Sequence, residues 1–259
     1  MKRDILARRA DIARRIKSRG GAVVLLDFDG TLAPIVSVPK KARMSARMRR
    51  ALAAYARRFP VAVVTGRAFA DVRKRVRVRG VSFAGNHGLE WSIRGKRSEV
   101  ALSAQPARAL AKVKKLLDTI TARYRGAFVE DKKHSLAVHY RHVRASRHSA
   151  FLREARKIVH DTGGKHLRTI PGILILNILP NVGWDKGKAA RMMYTQLRTS
   201  RASVPVFVGD DATDEDVFKA LRRGITVKVL SSGGKKSYAH YALDDLRAVE
   251  KFLVWLACI

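Results

Sequence analysis

The stretch LLDFDGTL, residues 25–32, decides how the rest of the chain is read. An apolar run, AVVLL at 22–26, leads straight into two carboxylates, Asp27 and Asp29, and then into Gly30. A continuous aliphatic run is the pattern of a strand buried on both faces of a parallel sheet. Such strands deliver the residues that follow them to the carboxyl edge of the sheet, where open α/β folds bind ligands. The chain is otherwise poor in acids, with 21 Asp and Glu against 54 Lys and Arg in 259 residues. Two negative charges at the mouth of a buried strand therefore need a chemical reason.

Three further clusters have the same placement. VAVV at 61–64 runs into Thr65, Gly66 and Arg67. VPVFVG at 204–209 runs into Asp210 and Asp211, with Asp214, Glu215 and Asp216 behind them. GWDKGKA at 183–189 sets Lys186 at the start of a predicted helix. Taken singly, each fits something plainer: an Asx turn for DFDGT, or acids at a helix start for GDDATDED. Taken together at strand ends, they describe chemistry. Converging carboxylates repel one another unless a cation sits between them, and a small set of hard oxygen ligands suits Mg²⁺ shared with a substrate phosphate. One Asp can attack phosphorus. A second carboxyl two residues away can protonate a leaving oxygen and later deprotonate water. Thr65 can donate to a phosphoryl oxygen, Lys186 can offset charge developing in the transition state, and Gly30 allows close backbone approach.

The wider pattern alternates apolar strands with amphipathic helices, the mark of an α/β fold with a parallel sheet. Helices are predicted over 3–17, 43–58, 68–76, 185–198, 214–222 and 243–257, with strands at AVVLL, VAVVTG, VSFAG, VPVFVGDD and ITVKV between them. From about 87 to 180 the texture changes. Helices are predicted over 106–123 and 146–161, GILILNILP reads as a strand, and FVEDKKHSLAVHYRHV alternates like an antiparallel or half-exposed strand. The expected layout is a Rossmann-like hydrolase core over 1–86 and 181–259, interrupted by a mixed α/β insertion over 87–180.

DFDGTL, VVTGR, the lone Lys186 ahead of a helix and GDDATDED resemble, in order, the four motifs of the haloacid-dehalogenase superfamily. The resemblance implies Asp27 as nucleophile, Asp29 as general acid and base, and Thr65 and Lys186 as stabilisers of phosphate and charge. It also implies Mg²⁺ held by Asp27, the Asp29 carbonyl and Asp210, with Asp211 or Asp214 as further ligand or support. GNHGLE at 85–90, VEDKKHSLAVHYR at 129–141 and GWDKGKA resemble the trehalose-6-phosphate phosphatases of that superfamily. This implies an α/β cap over a disaccharide and a role in trehalose biosynthesis. Glu130 and Lys132 would read sugar hydroxyls, while Gly30, Arg67, Asn86 and His87 would lie at the phosphate or sugar. One position departs from the family pattern. LILNILP carries Asn177 where the family usually has a Glu that grips the sugar. A neutral amide makes a weaker hydrogen bond than a carboxylate, so the resemblance also admits another sugar or glycosyl phosphate as substrate.

The net charge of +33 attracts polyanions non-specifically, and a basic nucleic-acid-binding protein is the alternative of another class. Against it, the basic residues are dispersed and no nucleic-acid-binding signature appears. No apolar run approaches the roughly 20 residues of a membrane span. With one cysteine and a charged start, the sequence reads as cytoplasmic. It leaves the oligomeric state open.

Overall fold

The computed structural model describes residues 3–230 and 236–259. Contacts divide the chain into two compact units, one of residues 1–99 and 185–259, the other of residues 100–184. The larger unit opens with β1 (Arg3–Asp4), α1 (Arg9–Ser18), β2 (Ala22–Leu26), α2 (Ala46–Ala56), β3 (Val61–Val64), α3 (Phe69–Val76), β4 (Val81–Gly85), β5 (Glu90–Ile93) and β6 (Lys96–Glu99). The smaller unit holds α4 (Ala104–Arg123), β7 (Phe128–Asp131), β8 (Leu136–His139), α5 (His148–Ile158), β9 (Leu167–Gly172) and β10 (Ile175–Pro180). The larger unit resumes with α6 (Lys186–Leu197), β11 (Val204–Gly209), α7 (Asp214–Ala220), β12 (Ile225–Val229), β13 (Tyr241–Leu243) and α8 (Leu246–Leu256).

The larger sheet runs β1-β13-β12-β11-β2-β3-β4-β5-β6. Its strands are parallel from β1 through β4, and β5 and β6 are antiparallel additions at one edge. The chain leaves β2 toward β3 and β4 on one side, then returns to β11 and β12 on the other. The strand order thus reverses between β2 and β11, which opens a crevice at their carboxyl ends. The central strands explain their apolar runs: β2 and β3 are buried at every residue. Helices cover both faces, as an all-parallel region requires. Three of them start on a side-chain cap: Ser45 accepts from Met48 N on α2, Asp185 from Lys188 N on α6, and Asp245 from Ala248 N on α8.

The smaller unit is an antiparallel sheet, β7-β8-β10-β9. Leu136, Val138, Leu176 and Ile178 face α4 and α5 and pack with Val113, Leu117 and Phe151. Strand β8 is antiparallel to both its neighbours, one of the two readings its alternation allowed, and it is not half-exposed. Ala137 and His139 on the other face are buried as well, with Phe128 stacked on His139.

Several boundaries differ from those expected. The first break between units falls after Glu99, not at residue 87, because β5 and β6 add to β4 in the larger sheet. The second falls after Trp184, before the capping Asp185 of α6. The helix expected over 3–17 is split: β1 pairs with β13, a single 3₁₀ turn covers Leu6–Arg8, and α1 begins at Arg9. Leu243 ends a strand and does not open α8, which waits for its Asp245 cap. Among the described residues, no helix is long and apolar enough to cross a membrane.

The core dictates a stability contrast on α8. Leu253 is fully buried, whereas its neighbour Val254 is half exposed. Leu253→Ala will destabilise the protein by about 2–5 kcal/mol, and Val254→Ala will stay within about 0.5 kcal/mol of wild type. Urea unfolding midpoints measure both, and equal midpoints for the two variants would contradict this packing.

Candidate active site

The crevice between β2 and β11 gathers Asp27, Gly30, Lys186, Asp210, Asp211 and Asp214. Asp27 follows β2 and is held in place through its backbone, its N–H donating to Val208 O at 2.9 Å. Asp210 and Asp211 follow β11. Asp214 opens α7 and turns back, so that its Oδ2 accepts from the N–H groups of Asp210 at 2.9 Å and Asp211 at 3.0 Å. Lys186, the first residue of α6, reaches between two of these acids. Its Nζ lies 2.6 Å from Asp27 Oδ1 and 2.7 Å from Asp214 Oδ1. Asp27, Lys186 and Asp214 are all buried.

Close approach at this point excludes side chains. A Cβ on Gly30, which has φ +74°, would fall 2.0 Å from Asp210 Oδ2. The loop after β2 is therefore restricted to glycine by both conformation and space. It is closed by Gly30 N–H donating to Ala33 O at 2.7 Å.

Burial and mutual repulsion set the electrostatics. Burial pushes the Asp27 carboxyl up to about 7, with Lys186 opposing and Asp214 and Asp29 adding to the rise. Asp210 is pushed up to about 9, by burial first and then by Asp27, Asp214 and Asp211. Burial works against the charge of Lys186, but Asp214 and Asp27 outweigh it and hold the ammonium above its ordinary range. With all of these acids ionised, one lysine would face more negative charge than it can balance. Asp27, Asp210 and Asp214 each offer a carboxylate oxygen, and the three oxygens lie within 4.8 Å of one another. An all-oxygen set with residual negative charge in a buried crevice fits a hard divalent cation such as Mg²⁺.

Asp29 points elsewhere. Arg67 Nε donates to Asp29 Oδ2 and Arg67 Nη2 to Asp29 Oδ1, both at 2.7 Å. Arg67 Nη1 donates to Asp71 Oδ2 at 2.8 Å, and Asp71 also accepts from Arg75 Nε at 2.7 Å. Arg67 was expected among the substrate-binding residues. Its donors are instead engaged by two carboxylates and Pro39 O, because the planar fork matches a carboxylate bidentately. The signal for Asp71 was present in the sequence: Arg67, Asp71 and Arg75 are spaced four apart at the start of α3.

Thr65 follows β3, is buried, and accepts from Arg67 N–H at 3.2 Å. Asn86 and His87 follow β4 and are buried, both with left-handed backbone (φ 55° and 56°). Asn and His are among the non-glycine residues that adopt that conformation most readily. His87 N–H donates to Thr65 O at 2.9 Å, and a Cβ on Gly66 would meet the His87 ring at 2.6 Å. The β3 and β4 ends are thereby locked together. Thr31 was not singled out from the sequence. Its hydroxyl is buried and has no hydrogen-bond partner among the described residues.

Glu130, Lys132 and Asn177 belong to the smaller unit. Glu130 pairs with Ala137, and Ala137 with Asn177, so the three form one row across β7, β8 and β10 and share a face. Lys132 is not in that row. Strand β7 ends at Asp131, and Lys132 starts a turn closed by its N–H donating to Ser135 O at 2.9 Å.

Comparison with known proteins agrees with this geometry. Residues 25–247 match the model of the trehalose-phosphatase family. The chain is 38% identical over 245 residues to trehalose-phosphate phosphatase B of Arabidopsis thaliana, covering 89% of this chain and 65% of that protein. It is 36% identical over 253 residues to an uncharacterized glycosyl hydrolase of Mycobacterium tuberculosis, covering 95% of this chain but only 19% of that protein. The chain therefore spans less than two thirds of these relatives. Its fold matches that of the C-terminal domain of C. albicans trehalose-6-phosphate phosphatase, with a TM-score of 0.87, 22% identity, and coverage of 100% of this chain and 99% of that one. With a family match over residues 25–247, the chain belongs to the trehalose-phosphatase family.

Proposed function

We propose that this chain hydrolyses trehalose 6-phosphate to trehalose and inorganic phosphate, with Mg²⁺ as cofactor. The observation that carries the reading is the buried contact of Lys186 with Asp27 at the β2 carboxyl end, beside Asp210 and Asp214, in a chain of this family. Asp27 is the nucleophile. One of its oxygens attacks phosphorus in line, the bond from phosphorus to the sugar O6 breaks, and Asp29, turned away from Arg67 and protonated, gives its proton to the leaving oxygen. The product at Asp27 is an aspartyl-phosphate. Asp29, now a base, takes a proton from water, the water oxygen attacks phosphorus, and the bond to Asp27 breaks to release phosphate.

Lys186 offsets charge on Asp27 and the transferring group throughout, and its burial makes that contribution large. Thr65 and the backbone around Gly30, with Asn86 and His87 nearby in the fold, supply further donors for the phosphoryl oxygens. Arg67 holds both Asp29 oxygens in the resting chain, and Asp29 leaves that pair to act as acid and base. Mg²⁺ would be held by Asp27 and Asp210, supported by Asp214, and would neutralise phosphoryl charge when bound. Asp211 and the Asp29 carbonyl complete the expected ligand set. In this reading the smaller unit is the cap, and Glu130, Lys132 and Asn177 read the sugar hydroxyls. The single cysteine supports action in a reducing compartment, the cytoplasm. The +33 charge supports weak, salt-sensitive association with polyanions.

Two experiments test the assignment. Asp27→Asn will fold but lose at least about 10³-fold in phosphate release from trehalose 6-phosphate, and a chelator will silence the wild type until Mg²⁺ is restored. Turnover near wild type in either case would overturn the reading. A panel of other sugar phosphates in the same assay reads the substrate: a higher kcat/KM for any of them than for trehalose 6-phosphate would transfer the activity to that sugar.

Asn177 tests the cap. Replacing its amide by a carboxylate exchanges a neutral hydrogen bond for a charge-assisted one, a gain of about 1 kcal/mol. Asn177→Glu will therefore lower KM for trehalose 6-phosphate roughly fivefold. An unchanged or higher KM would remove Asn177 from the sugar site.

A further inference from the structure

The smaller unit carries a contact that the phosphatase chemistry does not use. His139, at the end of β8, is buried, its side chain only 10% exposed. Its Nε2 lies 2.9 Å from Glu130 Oε2 on β7. An ionised carboxylate can only accept, so the imidazole Nε2–H is the donor. The pairing is diagonal: Glu130 stands opposite Ala137, two residues before His139, on the same face of the sheet. Directly opposite His139 is Phe128, whose ring stacks on the imidazole with centroids 4.4 Å apart and planes 10° apart. The imidazole is thus fixed by a ring on one strand while it donates to a carboxylate on the same strand.

The exposure of the two partners is unequal. Glu130 keeps 40% of its side chain exposed, so its carboxylate can meet a solute. A glutamate has three side-chain torsions, and ordering such a side chain at a binding site costs about 0.5–1.5 kcal/mol. A buried donor that already holds one carboxylate oxygen removes much of that cost before substrate arrives.

We infer that His139 is a positioning residue for substrate recognition: it fixes the Glu130 carboxylate in the orientation that accepts from sugar hydroxyls. The inference rests on the reading of Glu130 as a sugar ligand given above. His139 touches no substrate in this account. It acts through Glu130, in the way a hydrogen-bonding residue behind a ligand orients it. Its effect therefore belongs to KM and not to the phosphoryl-transfer step, whose groups all lie in the larger unit.

The test is steady-state kinetics on trehalose 6-phosphate with four variants of the full chain. His139→Phe keeps an aromatic ring to stack on Phe128 and removes the donor, and it will raise KM about tenfold while kcat changes by less than about threefold. His139→Gln restores a donor and will return KM to within about threefold of wild type. Glu130→Gln will raise KM by itself. Adding His139→Phe to Glu130→Gln will raise it little further, because two residues that act as a unit are not additive. A general weakening of the sheet would produce neither the rescue nor the non-additivity. A KM rise for Glu130→Gln with none for His139→Phe would overturn the inference and leave the sugar-site reading standing. Unchanged KM in both single variants would overturn both. A fall in kcat for His139→Phe that His139→Gln fails to rescue would make the residue merely structural and overturn the inference.

Discussion

The ammonium of Lys186 between Asp27 and Asp214 is the contact on which the site depends. It joins the end of β2, the start of α6 and the start of α7, three segments far apart in sequence. Buried carboxylates of this density are costly unless they are paired or hydrogen-bonded. Here Lys186 pairs with two of them, and Asp214 is further held by the N–H groups of Asp210 and Asp211. The same arrangement that makes the cluster tolerable leaves it short of positive charge. A folded chain with this deficit suits a divalent cation and a phosphoryl group, each of which brings what the other needs.

The rest of the larger unit serves that contact. The reversal of strand order puts the β2 and β11 ends side by side. Fully buried strands fix where those ends stop, and the β2–β11 register sets Leu26 beside Val208. Glycine at position 30 lets the loop after β2 pass against Asp210. Arg67 ties Asp29 to α3 through Asp71, so the two carboxylates of DFDGT have opposite surroundings. Asp27 is buried against a lysine, while Asp29 is partly exposed and gripped by a guanidinium. Residues two apart on one loop thus have different surroundings, which is what suits them to the different roles proposed for them.

Much of this was legible in the sequence, for physical reasons. The AVVLL, VAVV and VPVFVG runs announce strands buried along nearly all their length, and the polar residues right after each run had to sit at the sheet's edge. That pattern places Asp27, Thr65 and Asp210, and the helix-opening Lys186, from the sequence alone. What was hidden depended on tertiary pairing. The WSIRGKRSE hairpin has no pattern that says which sheet it joins, and only its pairing with Gly85 and its neighbours assigns it to the larger one. The LRTIPG strand contains a proline and a glycine, both poor in strands, and forms because β10 supplies a partner along its length. The contacts of Arg67 with Asp29, Asp71 and Pro39 were hidden because the sequence does not show which acceptor lies within reach. The His139–Glu130 contact spans nine residues and a hairpin, and depends on a diagonal that strand register alone defines.

The central claim is that Asp27 becomes covalently phosphorylated during turnover. Enzyme mixed with trehalose 6-phosphate and Mg²⁺ is quenched in acid within one turnover, reduced with borohydride to trap any acyl phosphate, and digested for peptide mass spectrometry. The account predicts the reduced residue in the peptide that contains position 27 and in no other. Trapping at Asp29, Asp210 or Asp214, or phosphate release with no trapped residue at any time point, would contradict it.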